Sequence, residues 1–251
     1  MDDLVDLIRE SHANPVADWF PRVMRAMMEA GMALTDFLEK AAEDSPQGVI
    51  STIKALDGEF PYWLEGDDNP WGGRRSEENE MTVGELIRLA AKRHGDTASP
   101  AIIVGLRRSR VGYHVPEFLT KVATWFLAPE IEKASTHLRV AALGKDAEAL
   151  LASVGESRQV SRIFEVVYHL QHEGKADDAG LVLKAIGRNG VYRLRAIMAD
   201  FEKRKAPEDW LMEIARGVEY ENYSEYIQKF KEWEDGNLAA LLRRAADEPP
   251  F

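Results

Sequence analysis

The sequence predicts an all-α protein, an N-terminal helical bundle followed by an α-solenoid of helical-hairpin repeats. Three observations predict it. First, apolar residues recur at i, i+3, i+7 and i+10 in four places: Ile131, Ala134, Leu138 and Ala141; Val160, Ile163, Val167 and Leu170; Val191, Leu194, Met198 and Phe201; Tyr223, Tyr226, Phe230 and Trp233. Second, each quartet is followed by another spaced i, i+3, i+4 and i+7: Ala147, Leu150, Leu151 and Val154; Ala179, Val182, Leu183 and Ile186; Leu211, Ile214, Ala215 and Val218; Leu238, Leu241, Leu242 and Ala245. Both spacings lay the apolar groups along one stripe of a 3.6-residue helix, so each unit reads as helix, short turn, helix. Third, the first helices return after 29, 31 and 32 residues and the second after 32, 32 and 27. Helical hairpins that recur with such periods stack into arrays.

Upstream, residues 13–32 offer Val23, Met24, Met27 and Met28 as an apolar stripe, and residues 46–56 offer Val49, Ile50, Ile53 and Leu56. Both are amphipathic helices by pattern. Residues 58–80 hold two prolines, four glycines and no helical period, which reads as a long loop. Thr82 with Glu85 three residues on has the form of a capping box, and Val83, Leu86, Ile87 and Ala90 follow with the second-helix spacing. Leu119, Val122, Ala123 and Phe126 show that spacing again. The organisation expected is therefore an N-terminal helical region at 1–65, a linker at 66–80 and a helical-repeat region at 81–251.

Within the repeats, Gly144–Lys145, Gly174–Lys175 and Gly236–Asn237 stand at the turns, and Arg204, Lys205, Ala206 and Pro207 replace them in the third unit. Glycine suits a turn that ends a helix in the left-handed conformation. Residues 165–190 (EVVYHLQHEGKADDAGLVLKAIGRNG) carry an apolar first helix, a Gly-Lys turn and a second helix opening on Asp-Ala. Residues 138–155 echo them. This wording resembles the tetratricopeptide and pentatricopeptide class of helical repeats over about 130–247, and the resemblance implies an array with a concave binding face. Pentatricopeptide proteins read RNA through Asn, Ser or Thr at one site of the first helix. The corresponding positions here are Ser135, Glu165, Arg195 and Ile227, so the base-reading pattern is absent, and the tetratricopeptide-like role of holding a protein or peptide fits better.

Of 251 residues, 45% are apolar and 30% charged, enough for a sizeable core under a solvated surface. No apolar run reaches the roughly 18 residues of a membrane span, and the first residues are acidic where a secretory signal is basic. Absence of cysteine excludes disulfides and thiol catalysis and fits a cytoplasmic location. A formal net charge of −11 repels polyanions. The segment 184–205 reverses that locally, with Lys184, Arg188, Arg193, Arg195, Lys203, Arg204 and Lys205 against Asp200 and Glu202. With Tyr192 these cations are the candidate partner-binding residues, for an acidic peptide, or for RNA or single-stranded DNA through stacking and phosphate contacts. A solvated helix face balanced by acidic neighbours accounts equally for such a run. Arg107, Arg108 and Arg110, beside Tyr113 and His114, form a smaller cluster.

Glu165, His169 and His172, at i, i+4 and i+7, have the spacing of metal ligands on one helix face, although His172 also suits a helix C-terminus. They define a lower-ranked alternative, a metal-dependent enzyme. Residues 66–69 (GDDN) cluster oxygen ligands, but Pro70 and Trp71 do not continue a calcium loop. No nucleophile elbow, phosphate-binding glycine loop or His-Glu-x-x-His occurs. Residues 81–105 look like the opening of acyl-adenylating enzymes, yet no Ser/Thr/Gly-rich nucleotide loop follows them. Tyr220, Tyr223, Tyr226, Phe230 and Trp233 read as core or cap. Trp19, Phe20, Met24, Met27, Met28 and Met32 read as a buried helix interface, and Phe60, Tyr62, Trp63 and Trp71 as rings that either fold back over the N-terminal helices or seal an interface. The function expected is a protein-interaction scaffold, adaptor or regulatory subunit, without cofactor or catalytic residues, that uses the concave side of residues 130–235.

Overall fold

The computed structural model describes residues 19–60 and 77–247, and among them every regular element is helical. Contacts divide the chain into two compact units, Met1–Lys121 and Val122–Phe251. The residues 81–121, which the spacing groups with the repeats, thus share their contacts with the N-terminal helices. Tyr62, Trp63, Trp71, the 66–69 cluster and most of the expected linker lie outside the described residues. No helix among those described is long and apolar enough to cross a membrane.

The first unit begins with α1 (Trp19–Glu29), α2 (Thr35–Ala42) and α3 (Pro46–Glu59). The Ser45 side chain caps α3 by accepting from the Gly48 amide at 3.2 Å, with Pro46 in the first turn, where its missing N–H is harmless. After the undescribed segment, α4 (Glu77–Asn79) runs through a π-helical stretch, Glu80–Gly84, into α5 (Glu85–His94). Thr82 is therefore not a helix cap. It is buried inside a continuous helix, and its hydroxyl donates to the Glu78 carbonyl at 2.6 Å, the back-bonding that Thr makes in a helix interior. Next come α6 (Ser99–Arg108), a 3₁₀ turn at Gly112–His114, and α7 (Val115–Trp125). Helix α3 packs against α1, α2, α5 and α6, and its Val49, Ile50, Ile53 and Leu56 are all buried. The 58–80 loop starts later and ends earlier than its composition suggests, since Gly58 and Glu59 still belong to α3 and residues 77–80 to the next helix.

The second unit holds four consecutive helix pairs: α8 (Ala128–Val140) with α9 (Gly144–Ser157), α10 (Val160–His172) with α11 (Ala176–Gly187), α12 (Val191–Lys203) with α13 (Glu208–Arg216), and α14 (Tyr223–Glu232) with α15 (Gly236–Asp247). All sixteen second-helix quartet residues are buried, and of the first-helix quartets only Ala141, Val160 and Trp233 are not. First helices touch first helices along the series α8, α10, α12, α14, and second helices touch second along α9, α11, α13, α15. Such pairing buries both apolar stripes of every hairpin.

Each hairpin turns through one left-handed residue: Ala142, Gly174, Lys205 and Glu234, with φ of 61°, 72°, 58° and 61°. The residue after it donates its amide to the carbonyl five places back, as in Leu143 to Leu138 at 2.8 Å and Lys175 to Leu170 at 2.8 Å. This is the bonding of a Schellman cap. Only Gly174 is thus the turn glycine expected. Gly144 and Gly236 open the following helices, where no positive φ is needed.

Two further devices join the hairpins. Glycines stand where second helices approach: a Cβ on Gly155 would lie 2.5 Å from the Val182 carbonyl oxygen, one on Gly187 2.5 Å from that of Ile214, and one on Gly217 2.0 Å from that of Lys184. Only hydrogen fits at such separations. Polar side chains also reach back to carbonyls that a helix end leaves open. Arg158, buried to 1% exposure, donates to the Ala123 and Phe126 carbonyls at 2.5 and 2.6 Å. Asn189 donates to Gly155 at 3.0 Å, Arg193 to Arg158 at 2.5 Å and the Tyr226 hydroxyl to Asn189 at 3.3 Å.

Candidate functional site

A groove of about 810 Å³ crosses the second helices, with Glu148 of α9, Lys184 of α11, Glu213 of α13 and Arg244 of α15 in its walls. A smaller depression of about 420 Å³ lies between the end of α8 and the Gly174–Lys175 turn and shares Arg139, Ala176, Asp177 and Asp178 with it. The two adjoin through these residues. Leu181, Trp210 and Met212 give it an apolar component. The larger groove carries six carboxylates and four cations. All four cations are engaged within the chain: Arg139 grips Asp178 through two bonds of 2.7 and 2.5 Å, Lys184 and Arg216 each lie 3.2 Å from Glu213, and Arg244 lies 2.5 Å from Glu208. Glu148, Asp177 and Asp209 have no basic partner among the described residues. They come from α9, α11 and α13, one from each of three hairpins.

The residues of the basic segment do not converge. Lys184 lines the groove. Arg188, at the end of α11, lies 3.3 Å from Glu156. Arg193 bonds the Asn189 side chain at 2.8 Å as well as the Arg158 carbonyl, and burial pulls its guanidinium below the ordinary value. Tyr192 and Arg195 meet at Trp233, the Tyr192 ring at 5.2 Å between centroids and the Arg195 guanidinium 4.7 Å above the ring. Arg195 also pairs with Asp235 at 2.5 Å. Beside that pair, burial and the Asp235 charge raise the Glu202 carboxyl above its usual range. Arg204 lies over Phe164 at 5.2 Å, pairs with Asp200 at 2.9 Å and donates to the Ser161 carbonyl. Lys203 and Lys205 have no acidic partner among the described residues. Four of the seven cations are therefore matched by carboxylates, Lys184, Arg188 and Arg195 by those of neighbouring elements and Arg204 by Asp200 of its own helix, and Tyr192, 74% exposed, is the most open ring of the segment.

Glu165 and His172 are exposed, whereas His169 is half-buried and its Nε2 lacks a hydrogen-bond partner. Among the described residues no three His, Asp or Glu side chains gather as metal ligands would. In the first unit His114 is fully buried, with Nε2 2.9 Å from Asp57 and the Tyr113 hydroxyl donating to the same carboxylate. Arg107, Arg108 and Arg110 are exposed at the C-terminal end of α6, where cations meet the helix dipole favourably. Tyr220 is 81% exposed, while Tyr223, Tyr226 and Phe230 are core.

In comparisons with known proteins, no family model matches the chain, and no curated protein or solved structure matches it either. Site reasoning from sequence missed Glu148, Asp177, Asp209 and the groove's apolar residues. A signal for two of them existed, because Asp177 and Asp209 occupy the same register 32 residues apart.

Proposed function

We propose that residues 122–251 form a tetratricopeptide-like α-solenoid whose role is to bind a protein partner. The groove crossing four consecutive second helices carries this reading, since an elongated, largely polar channel suits a chain-like ligand better than a small molecule, whose sites are enclosed and mostly apolar. A wedge supports the solenoid geometry. Glycines separate the second helices, whereas large rings lie among the first: Phe164 meets Phe201 at 5.2 Å, and Tyr192 meets Trp233. Thin spacers on one layer and thick ones on the other curve a stack, with the second helices on the inner side. That inner side is the groove.

Gly180 lines the groove, and a Cβ there meets nothing within 4 Å. Gly180→Tyr is expected to fill the channel while leaving the fold intact. Affinity purification from the native host, with and without nuclease, compares wild type with this variant. A stoichiometric protein partner that survives nuclease and is lost from Gly180→Tyr supports the reading. A partner retained by the variant removes the groove from it. Recovery of nucleic acid would instead support RNA or single-stranded DNA binding through residues 184–205.

A further inference from the structure

The groove's charges indicate what kind of chain it takes. We infer that its ligand is a lysine- or arginine-rich peptide segment, an assignment that rests on the groove being the binding surface. Of the cations lining the larger groove, Arg139 and Arg244 each hold a carboxylate of their own and Lys184 and Arg216 share Glu213, so an acidic or phosphorylated ligand would compete with three carboxylates already in place. Glu148, Asp177 and Asp209 need break nothing. Ionised carboxylates without a basic partner among the described residues attract cations across an interface and reject anions, and thereby select partners. The three come from successive hairpins, so they present themselves serially to a chain laid along the channel. Leu181 and Trp210, both half-buried, supply apolar surface on which the aliphatic stems of lysine or arginine rest while their heads reach the carboxylates. A nucleic-acid strand in the same place would set phosphates against these carboxylates in a chain whose net charge is already −11.

The test is fluorescence anisotropy at low and physiological salt with three labelled probes: a peptide alternating lysine and alanine, the same peptide with glutamate for lysine, and a single-stranded oligonucleotide. A peptide array of mixed composition runs beside them. The proteins are the full chain, the E148Q/D177N/D209N variant and Gly180→Tyr, each checked for wild-type circular dichroism. The basic peptide is expected to bind, to weaken as salt rises, and to lose about tenfold in affinity when the three exposed charges are removed. Gly180→Tyr is expected to abolish binding. Selection of acidic or neutral peptides, lost in Gly180→Tyr, overturns the basic assignment and leaves the groove as a protein-binding surface. Equal binding of all probes by wild type and the triple variant also overturns it. If no peptide is bound, or if binding is unchanged in Gly180→Tyr, the groove reading fails along with it.

Discussion

Replacing Gly217 by alanine tests whether second-helix spacing holds the array together. The new Cβ would lie 2.0 Å from the Lys184 carbonyl oxygen and 2.7 Å from its carbonyl carbon, and both are backbone atoms that cannot rotate away. Carbon and carbonyl oxygen in contact keep roughly 3.3–3.6 Å apart, so α11 and α13 must separate by on the order of 1 Å. A gap of that size forfeits a quarter to a half of the dispersion well for atoms across it. The buried side chains there include Leu183, Ile186, Leu211, Ile214 and Ala215. Allowing for relaxation, the expected net loss is about 1–3 kcal/mol, or a fall of roughly 3–10 °C in Tm for a chain of this size. Gly187→Ala should behave alike, because its Cβ would lie 2.4 Å from the Gly217 carbonyl carbon.

Gly180→Ala is the matched control. It sits inside α11 with open space around it, so alanine should stabilise by about 0.5–1 kcal/mol through helix propensity alone. Thermal and urea unfolding, followed by circular dichroism, compare the three. If Gly217→Ala and Gly187→Ala prove as stable as Gly180→Ala, close backbone approach does not govern the packing of these hairpins, and the wedge argument for the proposed solenoid falls too.

The left-handed turn residues give a second series. Ala142→Gly, Lys205→Gly and Glu234→Gly should each stabilise by about 0.5–1 kcal/mol, and Gly174→Ala should cost about 1–2 kcal/mol, as read by urea midpoints. Arg158→Met strips two buried carbonyls of their donor and should cost about 2–4 kcal/mol; a loss under about 1 kcal/mol would show that water or another group replaces it. The Lys175 ammonium, hydrogen-bonded to Glu132, holds that carboxyl below its ordinary value of 4.5. A carboxyl depressed on folding adds stability that is present above the unfolded value and lost as pH falls through the folded one. Lys175→Met should therefore cost about 0.5–1 kcal/mol at neutral pH, and the gap from wild type should close below about pH 4.5 in acid unfolding curves.

The helices were legible because burial enforces them. A second-helix quartet such as Ala179, Val182, Leu183 and Ile186 sits on one stripe whatever the neighbouring chemistry, and all four are buried. Turn chemistry was less legible. A left-handed alanine or glutamate costs only about 1–2 kcal/mol, which hairpin contacts outweigh, so the turn need not hold glycine, and Gly144 and Gly236 drew attention away from Ala142 and Glu234. Thr82 misled for a related reason, since a hydroxyl that can cap a helix can also bond back within one. The recurrence of Gly155, Gly187 and Gly217 is visible in sequence, but nothing in a glycine alone distinguishes close approach from a helix end. The groove was hidden because Glu148, Asp177 and Asp209 come from separate hairpins and join only through the stacking register.

That register also changes what the basic segment is for. In sequence, seven cations within residues 184–205 form one patch, but the hairpins distribute them: Lys184 faces the groove, Arg193 closes the Arg158 carbonyl, Arg195 couples Asp235 and Trp233, and Arg204 couples Asp200 and Phe164. Reversing Arg193 to Glu sets a carboxylate against the Arg158 carbonyl and the Asn189 side-chain oxygen, both of which it repels. Reversing Arg195 to Glu sets one against Asp235. Either change loosens contacts between hairpins, so a binding loss in those variants reports on the array as much as on any partner. Lys203 and Lys205 answer the question more cleanly, because no carboxylate of the described chain depends on them. If the basic segment recruits a polyanion, Lys203→Glu with Lys205→Glu weakens that binding with only the small fall in Tm that reversing charges at the C-terminal end of α12 brings; if the groove alone binds, the same double variant leaves affinity for a basic peptide intact.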